Sequence, residues 1–282
     1  MDDKELLKRI ECMVFEDVGS GDITSSFTPN RKVEAVIDSN SEGYVSGIHE
    51  LKLLFRKHRI KATAHVKDGE KLKAGKRIFT LVGRSRDILP LERMALNLLS
   101  KMSSVTTATR RYADELKRIG AHAKVAATRK TSPGLMQLEK KAVFFGGGVT
   151  HRMGLYDMVL LKDNHLKVFN GDVLAALKAA KKAKTGKRIE VEVNTAEDAV
   201  IAAKNGADLI MFDNMKPHEI KQAVALLEIG GLRRKVLLEA SGGVTLDNIG
   251  EYGKTGVDWI SVGKITYSAP GLDFTLEFLK VY

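Results

Sequence analysis

Six short apolar runs in the second half of the chain, each followed by a helix-patterned segment, constrain the fold most. They are Ala123–Thr128, Met158–Leu161, Ile189–Val193, Leu209–Phe212, Val236–Leu238 and Trp259–Val262. Successive runs start roughly 20 to 35 residues apart, enough for one strand–helix unit each, which predicts parallel βαβ connections. The count suits a closed or partly closed α/β barrel, or a doubly wound sheet. The last stretch, Leu272 to Phe278, alternates with period two and reads as a strand of some other sheet, that of the first domain.

The first part of the chain has a different texture. Leu6, Leu7, Ile10, Val14 and Phe15 recur at helical spacing, ahead of a polar loop from Glu16 to Thr24. From Val33 to Val82, short β-branched runs are broken by Gly43, Gly47, Gly69, Gly75 and Gly83, with one helical stretch from His49 to Lys57. Val66 to Lys76, with Asp68-Gly69 and Gly75, reads as two hairpins. Leu91, Met94, Ala95, Leu98, Leu99 and Met102 mark one face of a helix from Pro90 to Ile119 that bridges into the second domain. The expected division is a domain of residues 1–108 joined by the strand 271–282, and a domain of residues 109–270.

Composition narrows the function classes. Among 282 residues, 44% are hydrophobic and 29% charged, which excludes a disordered or collagen-like chain. The single cysteine, Cys12, excludes a disulfide framework, and on the first helix it is expected to be a buried thiol. The opening MDDKELLKRI is a charged helix start, and no apolar run reaches the roughly 20 residues that span a bilayer. A reduced, cytoplasmic protein without a membrane partner is expected. The +11 net charge admits anionic partners, but with 6% aromatic residues and no basic run interleaved with them, nucleic acid is not expected. The lysine-rich KAAKKAKTGK, residues 178–187, reads as a solvated helix face and linker.

In parallel α/β folds the C-terminal strand ends face the ligand. Here they carry Arg129-Lys130, Lys162-Asp163-Asn164-His165, Glu192, Asp213-Asn214, Glu239-Ala240-Ser241-Gly242-Gly243 and Gly263-Lys264. One polar residue at a strand end is ordinarily just solvated. Six strands alike point to a shared anion site.

Its chemistry divides by sign. Arg93, Arg129, Lys130, His151, Arg152 and Lys162 can hold a polyanion, since guanidinium groups pair with carboxylates or phosphates through paired hydrogen bonds. Glu192 and Asp213 among them suit either a divalent metal held against phosphates or positive charge developing on a sugar. The turns Ser241-Gly242-Gly243 and Ser261-Val262-Gly263 bare backbone N–H groups of the kind that cradle a phosphate monoester. Gly146-Gly147-Gly148, ahead of His151-Arg152, lacks the context of a P-loop or a dinucleotide fingerprint. No Ser-His-Asp or Cys-His signature and no zinc spacing occurs.

These residues, in this order, resemble the quinolinate phosphoribosyltransferase family. The resemblance runs through Glu16-Asp17 and Gly21-Asp22-Ile23-Thr24, Glu92-Arg93, Thr128-Arg129-Lys130-Thr131, GGGVTHRMGLYD (146–157), Leu161-Lys162-Asp163-Asn164-His165, Glu190-Val191-Glu192-Val193, Asp213-Asn214-Met215, Leu238 to Gly243 and Ser261-Val262-Gly263. It implies an N-terminal α/β sandwich domain, an incomplete (open) α/β barrel, and a homo-oligomer, a dimer or a hexamer of dimers. It implies transfer of phosphoribose from phosphoribosyl pyrophosphate to quinolinate with Mg²⁺, giving nicotinate mononucleotide, pyrophosphate and CO₂ in NAD biosynthesis.

By position, the resemblance places Arg129, His151, Arg152 and Lys162 around the quinolinate carboxylates, with Arg93 reaching in from a partner chain. Lys130 and Lys162 meet donor phosphates, Glu192 and Asp213 the ribose hydroxyls and the metal, and Ser241, Gly242, Gly243, Ser261 and Gly263 the 5′-phosphate. The alternative reading is a same-fold transferase acting on nicotinate or another anionic acceptor without decarboxylation. The chain departs from the family pattern at Ala127, Thr150 and Lys264 to Tyr267, none of which removes a charged residue named above.

Overall fold

The computed structural model describes residues 2–282. In chain order the elements are α1 (Asp3–Val18), α2 (Ile23–Phe27), β1 (Lys32–Ser39), β2 (Gly43–Tyr44), α3 (Ile48–Lys57), β3 (Lys61–Ala64), β4 (Lys71–Leu72), β5 (Arg77–Arg84), α4 (Ser85–Ile88) and α5 (Glu92–Arg118). Then come β6 (Lys124–Ala126), α6 (Met136–Phe145), β7 (Val159–Leu161), α7 (Asp163–Val168), α8 (Val173–Lys182), β8 (Ile189–Val193), α9 (Ala196–Lys204), β9 (Leu209–Asp213) and α10 (Pro217–Ile229). The chain closes with β10 (Leu237–Ser241), α11 (Ile249–Gly253), β11 (Trp259–Ser261), α12 (Lys264–Tyr267) and β12 (Phe274–Val281). Two compact units result, residues 1–108 with 269–282, and residues 109–268.

The first unit is built on an antiparallel sheet of order β12-β1-β5-β3. The period-two tail joins it as β12, paired from Val33 opposite Val281 to Ser39 opposite Phe274. Leu51, Leu54 and Phe55 of α3 are buried, and Phe55 packs edge-to-face on Phe79 of β5 at 5.7 Å.

Three local expectations differ here. On α1 only Leu6, Ile10 and Val14 are buried, at i, i+4 and i+8, while Phe15 is 71% exposed. Cys12 sits two residues from Ile10, on the opposite side of that narrow stripe, and is exposed rather than buried. The polar loop from Glu16 to Thr24 is shorter than expected: α1 runs on to Val18, and Asp22 caps α2 by accepting the Ser25 N–H at 3.1 Å. The Val66–Lys76 segment is not two hairpins. Its turns flank β4, which pairs with β2, and Asp68 accepts the N–H groups of Gly47 and Ile48 at the start of α3.

The second unit is a six-stranded parallel sheet of order β6-β11-β10-β9-β8-β7. Its first two strands in sequence, β6 and β7, are its two edges, so the barrel is open between them. The edge of β6 is covered by the glycine-rich segment after α6. Val149 donates its N–H to Val125 O and accepts from Ala127 N, both at 2.8 Å. Gly148 makes that approach possible, because a Cβ there would lie 2.7 Å from Val143 and 3.1 Å from Val125 O.

Register sets what the strand ends present. In parallel pairing, in-register neighbours share a face, and the same face returns every second residue. Glu192, Met211, Glu239 and Trp259 form one row, and Asp213, Ser241 and Ser261 the next row toward the C-terminal ends. β8 is buried along its whole length, so Glu190 and Glu192 are carboxylates inside the layer. The fifth apolar run continues to Ser241, beyond the expected Leu238, because Glu239 and Ser241 still pair with Met211 and Asp213.

Candidate active site

At the C-terminal ends of the second unit's strands lies a cavity of about 420 Å³. Arg129, Lys130, His151, Arg152 and Lys162 line it, as do Asp213, Ser241, Gly242, Gly243 and Ser261. Gly263 borders an adjoining recess that shares Lys130 and the Ser241–Gly243 turn. Glu192 faces a neighbouring recess with Asn194 and Asp198, and is tied to the first cavity through Lys162, whose Nζ donates to its carboxylate at 3.2 Å. Arg93 is exposed on the first turn of α5, in the first unit.

The cationic side has two loops. One follows β6: Thr128 Oγ1 accepts the Lys130 N–H at 3.0 Å, and Thr266 Oγ1 donates to Lys130 O at 2.7 Å. The other carries His151 in a left-handed conformation, φ +52°. Arg152 is 7% exposed, and its guanidinium donates to Met158 O. Burial and the adjacent Arg129 guanidinium push Arg152 below its ordinary arginine value. Two like charges held together in this way are stabilised by an anion between them.

His151 lines the cavity with both ring nitrogens already engaged. Its Nδ1 accepts the Arg152 N–H at 2.7 Å, while its Nε2 lies 2.8 Å from Glu239 and 3.3 Å from Glu190. Both glutamates are fully buried, and the His151 ring meets Trp259 edge-on at 5.6 Å. Burial disfavours imidazolium, but the two carboxylates outweigh it and lift His151 to about 9. Burial and the charge of Glu239 raise Glu190 as well.

The phosphate-type side is made of backbone. Gly242 has φ +97° and Gly243 φ +63°, and a Cβ on Gly242 would lie 2.9 Å from the Asn214 N. No helix begins until Ile249, so the N–H groups here belong to a free-standing turn, whereas Gly263 directly precedes α12. Lys264 and Tyr267, where the chain departs from the family pattern, stand on the rim of this recess.

Reasoning from sequence assigned no role to Glu190, Glu239, Glu139 or Lys140. A carboxylate inside an apolar strand signals the first two, whereas Glu139 and Lys140 carry no such local signal.

Among protein families, residues 22–103 match the model of the quinolinate phosphoribosyl transferase N-terminal domain, and residues 105–277 that of its C-terminal domain. A probable nicotinate-nucleotide pyrophosphorylase (carboxylating) of Archaeoglobus fulgidus is 45% identical over 92% of this chain and 99% of its own length. The rat nicotinate-nucleotide pyrophosphorylase (carboxylating) is 34% identical over 93% of this chain and 87% of its own. The solved structure of the nicotinate-nucleotide pyrophosphorylase from Francisella tularensis superposes with a TM-score of 0.90 at 32% identity, covering 99% of this chain and 97% of that one. With both domain models matched in order and such identity along nearly its whole length, the chain belongs to the quinolinate phosphoribosyltransferase family.

Proposed function

We propose that this protein is the carboxylating nicotinate-nucleotide pyrophosphorylase, a pentosyltransferase of NAD biosynthesis that converts quinolinate and phosphoribosyl pyrophosphate into nicotinate mononucleotide, pyrophosphate and CO₂. The observation that carries it is the Arg129–Arg152 pair over the buried His151–Glu190–Glu239 cluster, opposite a glycine phosphate turn in one cavity. A dicarboxylate pairs with both guanidinium groups, where a monocarboxylate leaves one cation over.

In this reading Arg129, Arg152 and Lys162 hold the acceptor's carboxylates, and His151 stays behind Arg152 as part of its support. Lys130 and Lys162 meet the donor's diphosphate, and Ser241, Gly242, Gly243, Ser261 and Gly263 its 5′-phosphate. The ring nitrogen is aimed at the anomeric carbon. The N–C bond forms as the C–O bond to pyrophosphate breaks, and Asp213 and Glu192 stabilise the positive charge spread over the sugar. The ribosylated nitrogen is then cationic, so the bond to the neighbouring C2 carboxylate breaks with its electrons left on C2. CO₂ departs, and a proton fills C2. No covalent nucleophile is needed.

Asp213 and Glu192 offer the one or two carboxylates with which proteins hold Mg²⁺ against substrate phosphates. Mg²⁺ bound there supplies charge neutralisation of the departing pyrophosphate. Arg93 enters the site of a neighbouring subunit in an assembly of at least two chains, and the protein works in the cytoplasm. No described helix is long and apolar enough to cross a membrane.

The test is a single-turnover reaction with phosphoribosyl pyrophosphate, Mg²⁺ and carboxyl-labelled quinolinate, with nicotinate as a parallel acceptor. Coupled release of CO₂ and nicotinate mononucleotide from quinolinate is expected. Turnover of nicotinate alone, without CO₂, would overturn the assignment.

A further inference from the structure

Two adjacent residues of α6, Glu139 and Lys140, are charged and fully buried, and the reaction above uses neither. Each hydrogen-bonds to backbone. Glu139 accepts the N–H of Ser132 at 3.1 Å, three residues beyond Arg129. Lys140 Nζ donates to Thr150 O at 2.6 Å and to Arg152 O, the carbonyls on either side of His151. Successive residues of a helix diverge by about 100°, so one helix reaches both cationic loops. The body of α6 is fixed by Leu138, Ala142 and Val143 in the core.

Burying an ammonium on neutral carbonyls alone is costly, and an apolar side chain of the same length would fill the space at less expense. Burial and the charges of Arg152 and Arg129 pull Lys140 down to about 8, with Asp157 and Glu239 opposing. What the ammonium does that methionine cannot is hold two carbonyls at one point. That pins the left-handed turn at His151 and with it the direction of the Arg152 side chain.

We infer that Glu139 and Lys140 are positioning residues, a buried pair that suspends the Arg129–Lys130 loop and the His151–Arg152 loop from one rigid helix and sets the spacing of the acceptor's carboxylate grip. The inference rests on the proposed acceptor site and adds its source of geometry. A misplacement of this kind weakens acceptor capture while leaving the glycine phosphate turn intact.

The experiment compares wild type with K140M, E139L and E139Q. K140M should raise the KM for quinolinate about 10- to 100-fold while the KM for phosphoribosyl pyrophosphate moves by less than about threefold. E139L should raise the acceptor KM more than E139Q, whose amide oxygen still accepts from Ser132. K140A should regain part of its acceptor affinity in added n-butylamine. A folded K140M with the wild-type acceptor KM overturns the inference, as do equal increases for both substrates. Should K140M not fold, the E139L and E139Q pair decides by the same split.

A readout independent of turnover separates this inference from the assigned reaction: the imidazole ¹⁵N resonances of His151, identified by their loss in H151N. Displaced resonances in K140M support positioning even if wild type fails to decarboxylate quinolinate, in which case only the acceptor assignment falls. Unmoved resonances in folded K140M overturn the inference whatever the acceptor.

Discussion

The two walls of the cavity are held in place by different physics. The cationic wall consists of long side chains whose backbones are fastened by buried polar groups: Lys140 and Glu139 from α6, Thr266 on Lys130, and the Glu190–His151–Glu239 cluster behind Arg152. The phosphate wall has almost no side chains, and its donors are the backbone N–H groups of turns shaped by glycine. Charge that must match a rigid planar dianion has to be braced from beneath, because a flexible arginine alone carries too much rotamer freedom. A phosphate oxygen is met well by backbone dipoles that carry no such freedom. The cationic wall should therefore fail by losing charge, and the phosphate wall by gaining a methyl group.

The largest effect belongs to Arg129→Ala. It removes one of two converging guanidinium groups and leaves a substrate carboxylate unpaired. The expected loss in kcat/KM for quinolinate is about 10²–10³-fold, or about 3–4 kcal/mol. The side chain is exposed, so thermal stability should change by less than about 0.5 kcal/mol. Steady-state kinetics beside a thermal melt check this. A large fall in the melting temperature with unchanged acceptor affinity would make Arg129 a structural residue and remove the asymmetry between the walls.

Gly242→Ala probes the other wall by addition. At φ +97°, with a Cβ 2.9 Å from the Asn214 N, alanine must shift the turn. The expected cost is about 1–3 kcal/mol of stability. The KM for phosphoribosyl pyrophosphate should rise about tenfold while that for quinolinate changes little. An effect on quinolinate alone would mean that the walls do not divide the substrates as drawn.

The same contrast explains what was legible from sequence. The strands of the parallel sheet announced themselves as short apolar runs, and their polar ends pointed to the cavity, because register and strand polarity follow from local pattern. Arg129, Lys130, Lys162, Asp213 and the Ser241–Gly243 turn were readable for that reason. The bracing was not. Nothing local in Glu139-Lys140 says that both are buried, since burial depends on the Gly146–Val149 segment lying against the edge of β6, a contact made possible by Gly148. His151 was read as a substrate contact from its place beside Arg152. What the sequence did not show is that its two ring nitrogens also meet Arg152 N and the glutamates of two other strands, the latter 39 and 88 residues away. Cys12 was misjudged because a helix with a three-residue buried stripe has more exposed positions than the average helix face suggests.

The smallest effect concerns pH, and it tests whether the bracing beneath the cationic wall stores a proton. His151 titrates at about 9, above the ordinary 6.5 of histidine, so the folded state holds a proton that the unfolded chain releases. Its stabilisation is complete below pH 6.5 and is lost as the pH rises through about 9, amounting to about 3 kcal/mol. Lys140 acts in the opposite sense. Its folded value of about 8 lies below the ordinary 10.5, so it penalises the folded state at lower pH, and that penalty is relieved as the pH climbs from about 8 to 10.5. Wild-type stability should thus fall from pH 6.5 to 8, stay level to about pH 9 and rise again toward 10.5 as only the Lys140 penalty is still being relieved. His151→Asn, which keeps a side chain suited to positive φ, should abolish the first fall. Because Lys140 is present in both proteins, it cancels in their difference, which should continue to shrink up to pH 9. Urea melts of the pair at pH 6, 7, 8 and 9 measure that difference directly. A difference independent of pH would mean that the glutamates hold the ring by geometry alone and that the cationic wall is braced without a stored proton.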